Sequence, residues 1–546
     1  MISGPASGCG KTTVATGLMA ALRGRGIAVS GHKVGPDYID PGYHALATGR
    51  PARNLDPFLC GEQLIGPLFA HGAAAADIAV IEGAMGLFDG IADPAAAGPD
   101  AGPDFASTAH VARLLRAPVV LVVDAAAAGR SVAALVDGFA AFDPRVRVAG
   151  VILNRVGSQR HERLLKDAIE PLGVGVFGTV RRTEAAVTPS RHLGLVPAAE
   201  RRAAAGEAIA RLADLIAATC DVDGLRALAA TAPPLAVPPW DPHAALAAAA
   251  RGARERGPHS GADAAASSGP GRARQAPPAY EGPQGVMGGG QRAIDLGWPP
   301  VDRLGPAPGR RMRVAGSPVV VAAGQGKPVI ATAEGPAFTF SYTEHAELLE
   351  AAGAHVVPFD PLTQETLPAR TAGLVIGGGF PEMYAPELSA NAPLRRQVAA
   401  LAATGAPVIA ECAGLLYLAR TLDGLPMCGV VDADTHMTGR LTLGYRTATA
   451  ATDSTLAEAG SRARGHEFHR TAVSPEYGRL PAWRLAAGWP GGGKRAEGHV
   501  VGNVVASYLH LHWAGAPSSA LRFVSACRAN AAPGSRPGPA EGGAVS

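Results

Sequence analysis

Gly4-Pro-Ala-Ser-Gly-Cys-Gly-Lys-Thr-Thr13 follows three residues at the head of the chain, and its reading decides the fold of the first half. A glycine-rich turn that runs straight into a helix aims several backbone N–H groups at one place, and the helix N-terminus adds positive charge there. A polyphosphate fits such a cradle. Gly8 and Gly10 let the backbone approach it, Lys11 reaches its outer phosphates, and Thr12 and Thr13 open the helix, with the Thr12 hydroxyl placed to ligand Mg²⁺. Pro5 stands where the usual spacing has its first glycine, with Gly4 one place earlier. Such a loop hangs from the end of a strand that usually has ~5 residues. Only Met1-Ile2-Ser3 precede it here, so the first strand is expected to be truncated, or the true start to lie upstream.

Outward from the loop, residues 1–232 alternate short apolar runs with Ala-rich helical stretches. The runs 77–81, 118–123 and 148–153 are continuously apolar and end in polar residues or glycine, as strands buried on both faces do. Stretches such as 12–23 and 131–142 suit the helices between them. This alternation predicts an α/β domain with a parallel sheet, and the loop makes it a P-loop domain. In such a sheet a carboxylate at the C-terminal end of a strand borders the phosphate crevice. Glu82, in Glu82-Gly-Ala-Met-Gly-Leu-Phe-Asp-Gly90, is therefore read as a magnesium ligand, with Asp124 a weaker candidate. His32-Lys-Val-Gly-Pro-Asp-Tyr-Ile-Asp-Pro-Gly-Tyr-His44 is dense in polar and aromatic groups. There Lys33, Asp37 and Tyr38 are read as contacts to a carboxylate substrate and Asp40 as a metal ligand.

The second half brings a different chemistry. Strand signals resume at 329–331, 355–358, 374–376 and 407–410, with a helix from about 343 to 352. The strand at 407–410 runs into Glu411-Cys-Ala-Gly414 and then a helix. A strand–turn–helix elbow thrusts out its side chain, and the helix N-terminus favours a thiolate at Cys412. A thiolate needs an imidazole partner. His510 and His512, in Ser507-Tyr-Leu-His-Leu-His-Trp513, are the candidates. Backbone N–H groups of Gly378 and Gly379, in Gly377-Gly-Gly-Phe-Pro-Glu382, are read as an oxyanion hole.

Composition sets the bounds. The 546 residues call for two or three domains, and 47% apolar residues suffice for their cores. A formal charge of +3 gives no reason to expect nucleic acid or an anionic membrane as partner. The six cysteines include no CxxC pair, which argues against a zinc site or a disulfide framework. No apolar run reaches transmembrane length and no signal peptide is visible, so a cytoplasmic location is expected. Residues 233–327 are rich in Pro, Gly, Ala, Ser and Arg and read as a largely disordered linker, as does the tail 531–546. The expected division is thus 1–232, linker, 328–530 and tail.

Taken together, GPASGCGKTT, HKVGPDYIDPGYH, EGAMGLFDG, LNR at 153–155, FTFSYTEHAELL, GGGFPEMYAPELSANA, ECAGLLYL, GHEFH at 465–469 and SYLHLH resemble the cobyrinic acid a,c-diamide synthase family of corrinoid biosynthesis, including its hydrogenobyrinate-specific members. The resemblance covers roughly residues 2–232 and 328–528. It implies a dethiobiotin-synthetase-like P-loop domain followed by a class I glutamine amidotransferase domain. It further implies ATP and glutamine as co-substrates, Mg²⁺ as cofactor, and a tetrapyrrole carboxylate as the acceptor. Cys412 would form the glutamyl thioester, His510 would raise its nucleophilicity, and Asn154 would read the adenine base. GHEFH would help form the corrinoid-side pocket or the domain interface. The His-x-Glu of other class I amidotransferases is absent, since His510 is followed by Leu511-His512, and no third acid is assigned. Cobyric acid synthase and an enzyme of nickel sirohydrochlorin remain as alternatives, as does a P-loop partner-switching ATPase with a degenerate amidotransferase domain. A homodimer is also left open.

Overall fold

The computed structural model describes residues 1–92, 101–182, 190–191, 194–195, 202–255, 326–486 and 494–531. Seven parallel strands form the N-terminal sheet: β1 (Ile2–Ser3), β2 (Val29–Val34), β3 (Arg53–Leu55), β4 (Ile78–Glu82), β5 (Val119–Asp124), β6 (Val148–Val156) and β7 (Gly175–Arg181). Their order is β3-β2-β4-β1-β5-β6-β7. The apolar run of β5 is buried from Val119 to Val123, as a strand covered on both faces must be. Helices α1 (Lys11–Gly24), α2 (Asp40–Thr48), α3 (Pro57–Cys60), α4 (Glu62–Gly72), α5 (Thr108–Leu115), α6 (Val132–Phe142), α7 (Gln159–Ile169), α8 (Arg202–Thr219) and α9 (Val222–Ala229) accompany it. A two-residue pair, β8 (Ser190–Arg191) and β9 (Gly194–Leu195), lies apart from this sheet. Strand β1 has only two residues, yet it holds the centre, pairing Ile2 with Glu82 on one side and with Val120 on the other. The glycine loop and Glu82 therefore emerge side by side from adjacent strand ends.

Helix α10 (Pro242–Glu255) lies where the sequence reads as linker. It packs on two helices of the second half, α11 (Thr343–Ala351) and α15 (Ser518–Ala531), burying Leu246. Just ahead of it Trp240 is buried, with its backbone N–H donated to the carbonyl of Pro67 in α4. The Ala-rich composition that suggested a linker is also good helix-forming composition once a neighbour covers one face. Residues 256–325 and 532–546, read from sequence as linker and tail, lie outside the described residues.

The second half is built on a six-stranded sheet of order β11-β10-β12-β13-β21-β20. Its strands are β10 (Val329–Ala333), β11 (His355–Phe359), β12 (Thr371–Ile376), β13 (Val408–Glu411), β20 (His499–Val501) and β21 (Val504–Ser507), parallel except for β20. Helices α12 (Ala385–Ala390), α13 (Ala392–Ala403) and α14 (Ala413–Leu418) belong to it. A further sheet is formed around a long antiparallel pair, β16 (Asp434–Ala450) and β17 (Arg462–Ser474), with β14 (Thr421–Leu422), β15 (Leu425–Pro426), β18 (Trp483–Leu485), β19 (Arg495–Glu497) and β22 (His510–Leu511). GHEFH lies on β17, where His466 pairs with His510. Among the described residues no helix is long and apolar enough to cross a membrane.

Candidate active site

Gly8 and Gly10 take positive φ, 78° and 104°. At Gly10 a Cβ would lie 2.2 Å from the Asn154 side-chain nitrogen, so only glycine fits both the backbone and the space. Lys11 opens α1, and its Nζ donates to the carbonyls of Ala6 (2.9 Å) and Met85 (2.5 Å), bending the side chain back over the loop. Burial pushes this ammonium below its ordinary range. Asn154 ends with both polar atoms engaged: Nδ2 donates to the Cys9 carbonyl (2.9 Å) and Oδ1 accepts from the Arg155 N–H (2.9 Å). As placed it braces the loop, and contact with a base would require exchanging those bonds.

Beside the loop lies a dense buried charge cluster. Thr12 Oγ1 donates to Glu82 Oε1 (2.6 Å) and lies 3.3 Å from Asp40 Oδ2. Lys33 Nζ donates to the same two oxygens, at 2.9 Å from Glu82 and 2.5 Å from Asp40. Asp37 Oδ2 stands 3.9 Å from Lys33, while its Oδ1 accepts the N–H groups of Ile39 and Asp40. His44, which the sequence reading quotes but assigns no part, closes the far side: its Nε2 lies 2.7 Å from Glu82 Oε2. Its place in the polar segment was the signal. Burial alone would raise the Glu82 carboxyl, but the Lys33 charge and the bonds from His44 and Thr12 hold it well below its usual range. Burial opposes the Lys33 charge, yet Asp40, Glu82 and Asp37 outweigh it and raise its pKa. Burial and the like charges of Asp37 and Glu82 push Asp40 up. Asp37, Asp40 and Glu82 thus gather around the one Lys33 ammonium.

Cys412 sits at φ 50°, ψ −97° between β13 and α14, an elbow that few non-glycine residues adopt. Its N–H is held by the Ser507 carbonyl (2.7 Å), and its Sγ lies 3.8 Å from the Phe468 carbonyl on β17. Contrary to the sequence expectation, the thiol is not depressed. Burial pushes it up, Glu382 adds to this, and the Ala413 N–H at the helix start pulls the other way without prevailing. His510 is buried, its Nε2 has no hydrogen-bond partner among the described residues, and its Nδ1 lies 3.7 Å from Glu411 Oε2. His512 faces elsewhere: its Nε2 lies 3.6 Å from Glu344 and its ring against Tyr342. A Cβ on Gly378 would lie 2.3 Å from His510 Cε1. The Gly378 N–H donates to the Phe340 carbonyl (3.1 Å), so in this arrangement it is not free to serve an oxyanion. At Gly379 a Cβ would lie 2.1 Å from the Ala337 carbonyl oxygen.

The two halves meet through residues from both. Tyr38, expected to contact substrate, instead reaches the second half: Tyr342 donates to its hydroxyl (2.9 Å) and its ring stacks on Phe340. Arg53 of β3 donates to Glu344 (2.7 Å) and Glu347 (2.5 Å) of α11, and Tyr445 of β16 donates to Asp56 (2.9 Å). Sequence reasoning missed Arg53, Glu344 and Tyr445, because nothing local marks a partner some three hundred residues away.

A nucleotide cradle joined to a cysteine elbow with a buried histidine defines a glutamine-hydrolysing ligase with its own nucleotide-binding domain. The CobQ/CobB/MinD/ParA nucleotide binding domain matches residues 1–196, and the CobB/CobQ-like glutamine amidotransferase domain matches residues 329–518. A hydrogenobyrinate a,c-diamide synthase of Streptomyces coelicolor is 54% identical over 97% of each chain. Another from Thermobifida fusca is 47% identical over 96% of each, and a cobyrinate a,c-diamide synthase of Gloeobacter violaceus is 39% identical over 97% of each. The chain belongs to the a,c-diamide synthase family.

Proposed function

We propose that this protein converts the a and c acetate side chains of hydrogenobyrinate to amides, using ATP and glutamine. The observation that carries the reading is the placement of Tyr38. One segment, residues 32–44, supplies both the Lys33–Asp40 cluster beside the phosphate loop and the ring that lies against His510. The choice of hydrogenobyrinate over cobyrinate rests on the relatives, 47–54% identical for the first and 36–39% for the second.

Lys11 and the loop N–H groups would hold the ATP phosphates, and Lys33 would meet the substrate carboxylate once a cation takes over its partners Asp40 and Glu82. Thr12, Glu82 and Asp40 would hold Mg²⁺, which would offset charge on the phosphates. The few oxygens they present suit an ion that keeps its other positions for phosphate and water; among the described residues no cluster of three or more His, Cys, Asp or Glu could enclose a metal by itself. A carboxylate oxygen attacks the γ-phosphorus, ADP leaves, and an acyl phosphate remains. In the other domain, Cys412 attacks the glutamine side-chain amide and releases ammonia, and water then frees glutamate from the thioester. The N–H groups of Ala413 and Gly379 would face the oxyanion. Ammonia attacks the acyl phosphate and phosphate departs. The test is incubation with ATP, Mg²⁺, glutamine and each of hydrogenobyrinate, cobyrinate and nickel sirohydrochlorin, followed by mass spectrometry. Two amides on hydrogenobyrinate are expected; product with another macrocycle alone would overturn the choice.

A further inference from the structure

We infer that Glu411 is the positioning residue for His510, taking the place of the acid that His512 displaces from its usual spot two residues after the histidine. The inference rests on the reading of Cys412 and His510 as the glutaminase pair. Three observations meet at this carboxylate. Its Oε2 lies 3.7 Å from His510 Nδ1, and this is the one ion pair Glu411 makes among the described residues. Its side chain is only 10% exposed, and Oε1 has no hydrogen-bond partner there. A buried carboxylate left this poorly satisfied costs stability and calls for another role. Backbone register fixes it as well: Glu411 is the last residue of β13, paired with Ser507 of β21, so the chain that carries the nucleophile also carries the acid.

The opposite ring nitrogen, Nε2, has no partner among the described residues, and it is the atom assigned here to take the thiol proton. The proton balance follows. Cys412 Sγ–H passes its proton to Nε2, and the sulfur electron pair attacks the glutamine amide carbon. The imidazolium directs Nδ1–H at Glu411, whose negative charge offsets the new positive one. The departing nitrogen takes the Nε2 proton and leaves as ammonia. Water then adds to the thioester, returning one proton through His510 to the thiolate. The resting thiol is held neutral by burial, so a charge beside the imidazole has most effect at the moment the pair ionises.

Other titratable groups face the pair from every side: Tyr38 from the first domain, His345 on α11, His466 and His469 on β17, and Glu382 and Glu467 around the thiol. The test must therefore separate Glu411 from a general field. In Glu411→Gln, glutamine-dependent synthesis and glutaminase kcat should fall about 10²-fold, while synthesis from ammonia holds the wild-type rate. Alkylation of Cys412 by iodoacetamide, followed on its own peptide by mass spectrometry, should shift its inflection to higher pH. Glu411→Asp should recover part of both losses. Near-wild-type glutaminase in Glu411→Gln, with His510→Ala inactive, would overturn the inference and leave the glutaminase reading standing. An active His510→Ala would overturn both. If Glu411→Gln fails to fold, the Glu411→Asp alkylation profile decides: an unmoved inflection refutes the role.

Discussion

The ring of Tyr38 lies 4.8 Å, centroid to centroid, from the imidazole of His510. The two residues belong to different domains, and Tyr38 stands between Lys33 and Asp40, whose charged groups meet beside the phosphate loop. Any shift of that segment on binding ATP and macrocycle would move the surface against which His510 rests. Tyr38→Ala should therefore remove most of the stimulation of glutaminase by ATP and macrocycle, while Tyr38→Phe, which keeps the ring and loses only the bond to Tyr342, should retain it. Glutamate release measured with and without the two ligands decides this. Equal stimulation in Tyr38→Ala and wild type would show that the contact transmits nothing.

Cys412→Ala should abolish synthesis from glutamine and leave synthesis from ammonia within about twofold of wild type. The thiol lies on the β13–α14 elbow, and the activation cluster is drawn from β2, α2 and β4, so the variant removes nitrogen supply alone. Paired assays with the two nitrogen donors check it. Equal loss with both donors in a folded variant would contradict the separation of the two chemistries.

Trp240→Ala should lower the thermal midpoint by several degrees. The indole is buried just ahead of α10 and against α4, with His71 edge-on at 5.3 Å, and emptying such a site typically costs about 3–5 kcal/mol. Thermal unfolding measured by circular dichroism is the check, and an unchanged midpoint would mean that the Trp240 indole contributes no stability.

Legibility followed burial. The runs that became β4, β5 and β6 are apolar because helices cover both faces, and that pattern is visible without the structure. Cys412 announced itself through the strand before it and the helix after it. The long β16–β17 pair gave no comparable signal. It is half-exposed along much of its length, carries Gly444 at φ 145°, and slips register between Met437 and Thr442, so alternation is broken where a reader would look for it. Helix α10 was hidden in linker-like composition because its partners, α11 and α15, lie far along the chain. Sequence assigned Asn154 to the adenine base and Gly378 to an oxyanion hole, but it could not tell that Cys9, Arg155 and Phe340 take their polar groups here.

Stability should depend on pH through Glu497. Burial pushes its carboxyl up to about 7, against the pull of bonds from Ser507 and the Tyr508 N–H. Its unfolded value is about 4.3, so between these values the folded protein binds more protons than the unfolded chain. Stability from this group is therefore present at low pH and lost as pH rises through that window, by about 4 kcal/mol at most. Glu497→Gln does not titrate and keeps an acceptor for Tyr508. Its thermal midpoint should fall less than that of wild type between about pH 5 and pH 8. Parallel curves for the two proteins would refute the assignment.

Lys11→Ala separates activation from nitrogen release in the opposite sense. Lys11 Nζ is held by the Ala6 and Met85 carbonyls, one in the glycine loop and one just beyond β4, so it is poised over the place where the loop would hold phosphate. Removing a charge that follows a transferring phosphoryl group commonly costs about 10²–10³ in rate. Synthesis should fall by that order with either nitrogen donor, because no acyl phosphate forms. The glutaminase pair draws nothing from Lys11: Cys412 and His510 are set by β13, β22 and Gly378. Basal glutamine hydrolysis should persist, and its stimulation by ATP and macrocycle should vanish, since ATP no longer binds productively beside residues 32–44. Glutamate release and macrocycle amidation measured in parallel on the purified variant give the answer. Synthesis from ammonia near the wild-type rate would show that Gly4–Thr13 is not the activating nucleotide site, whatever the fate of the thioester.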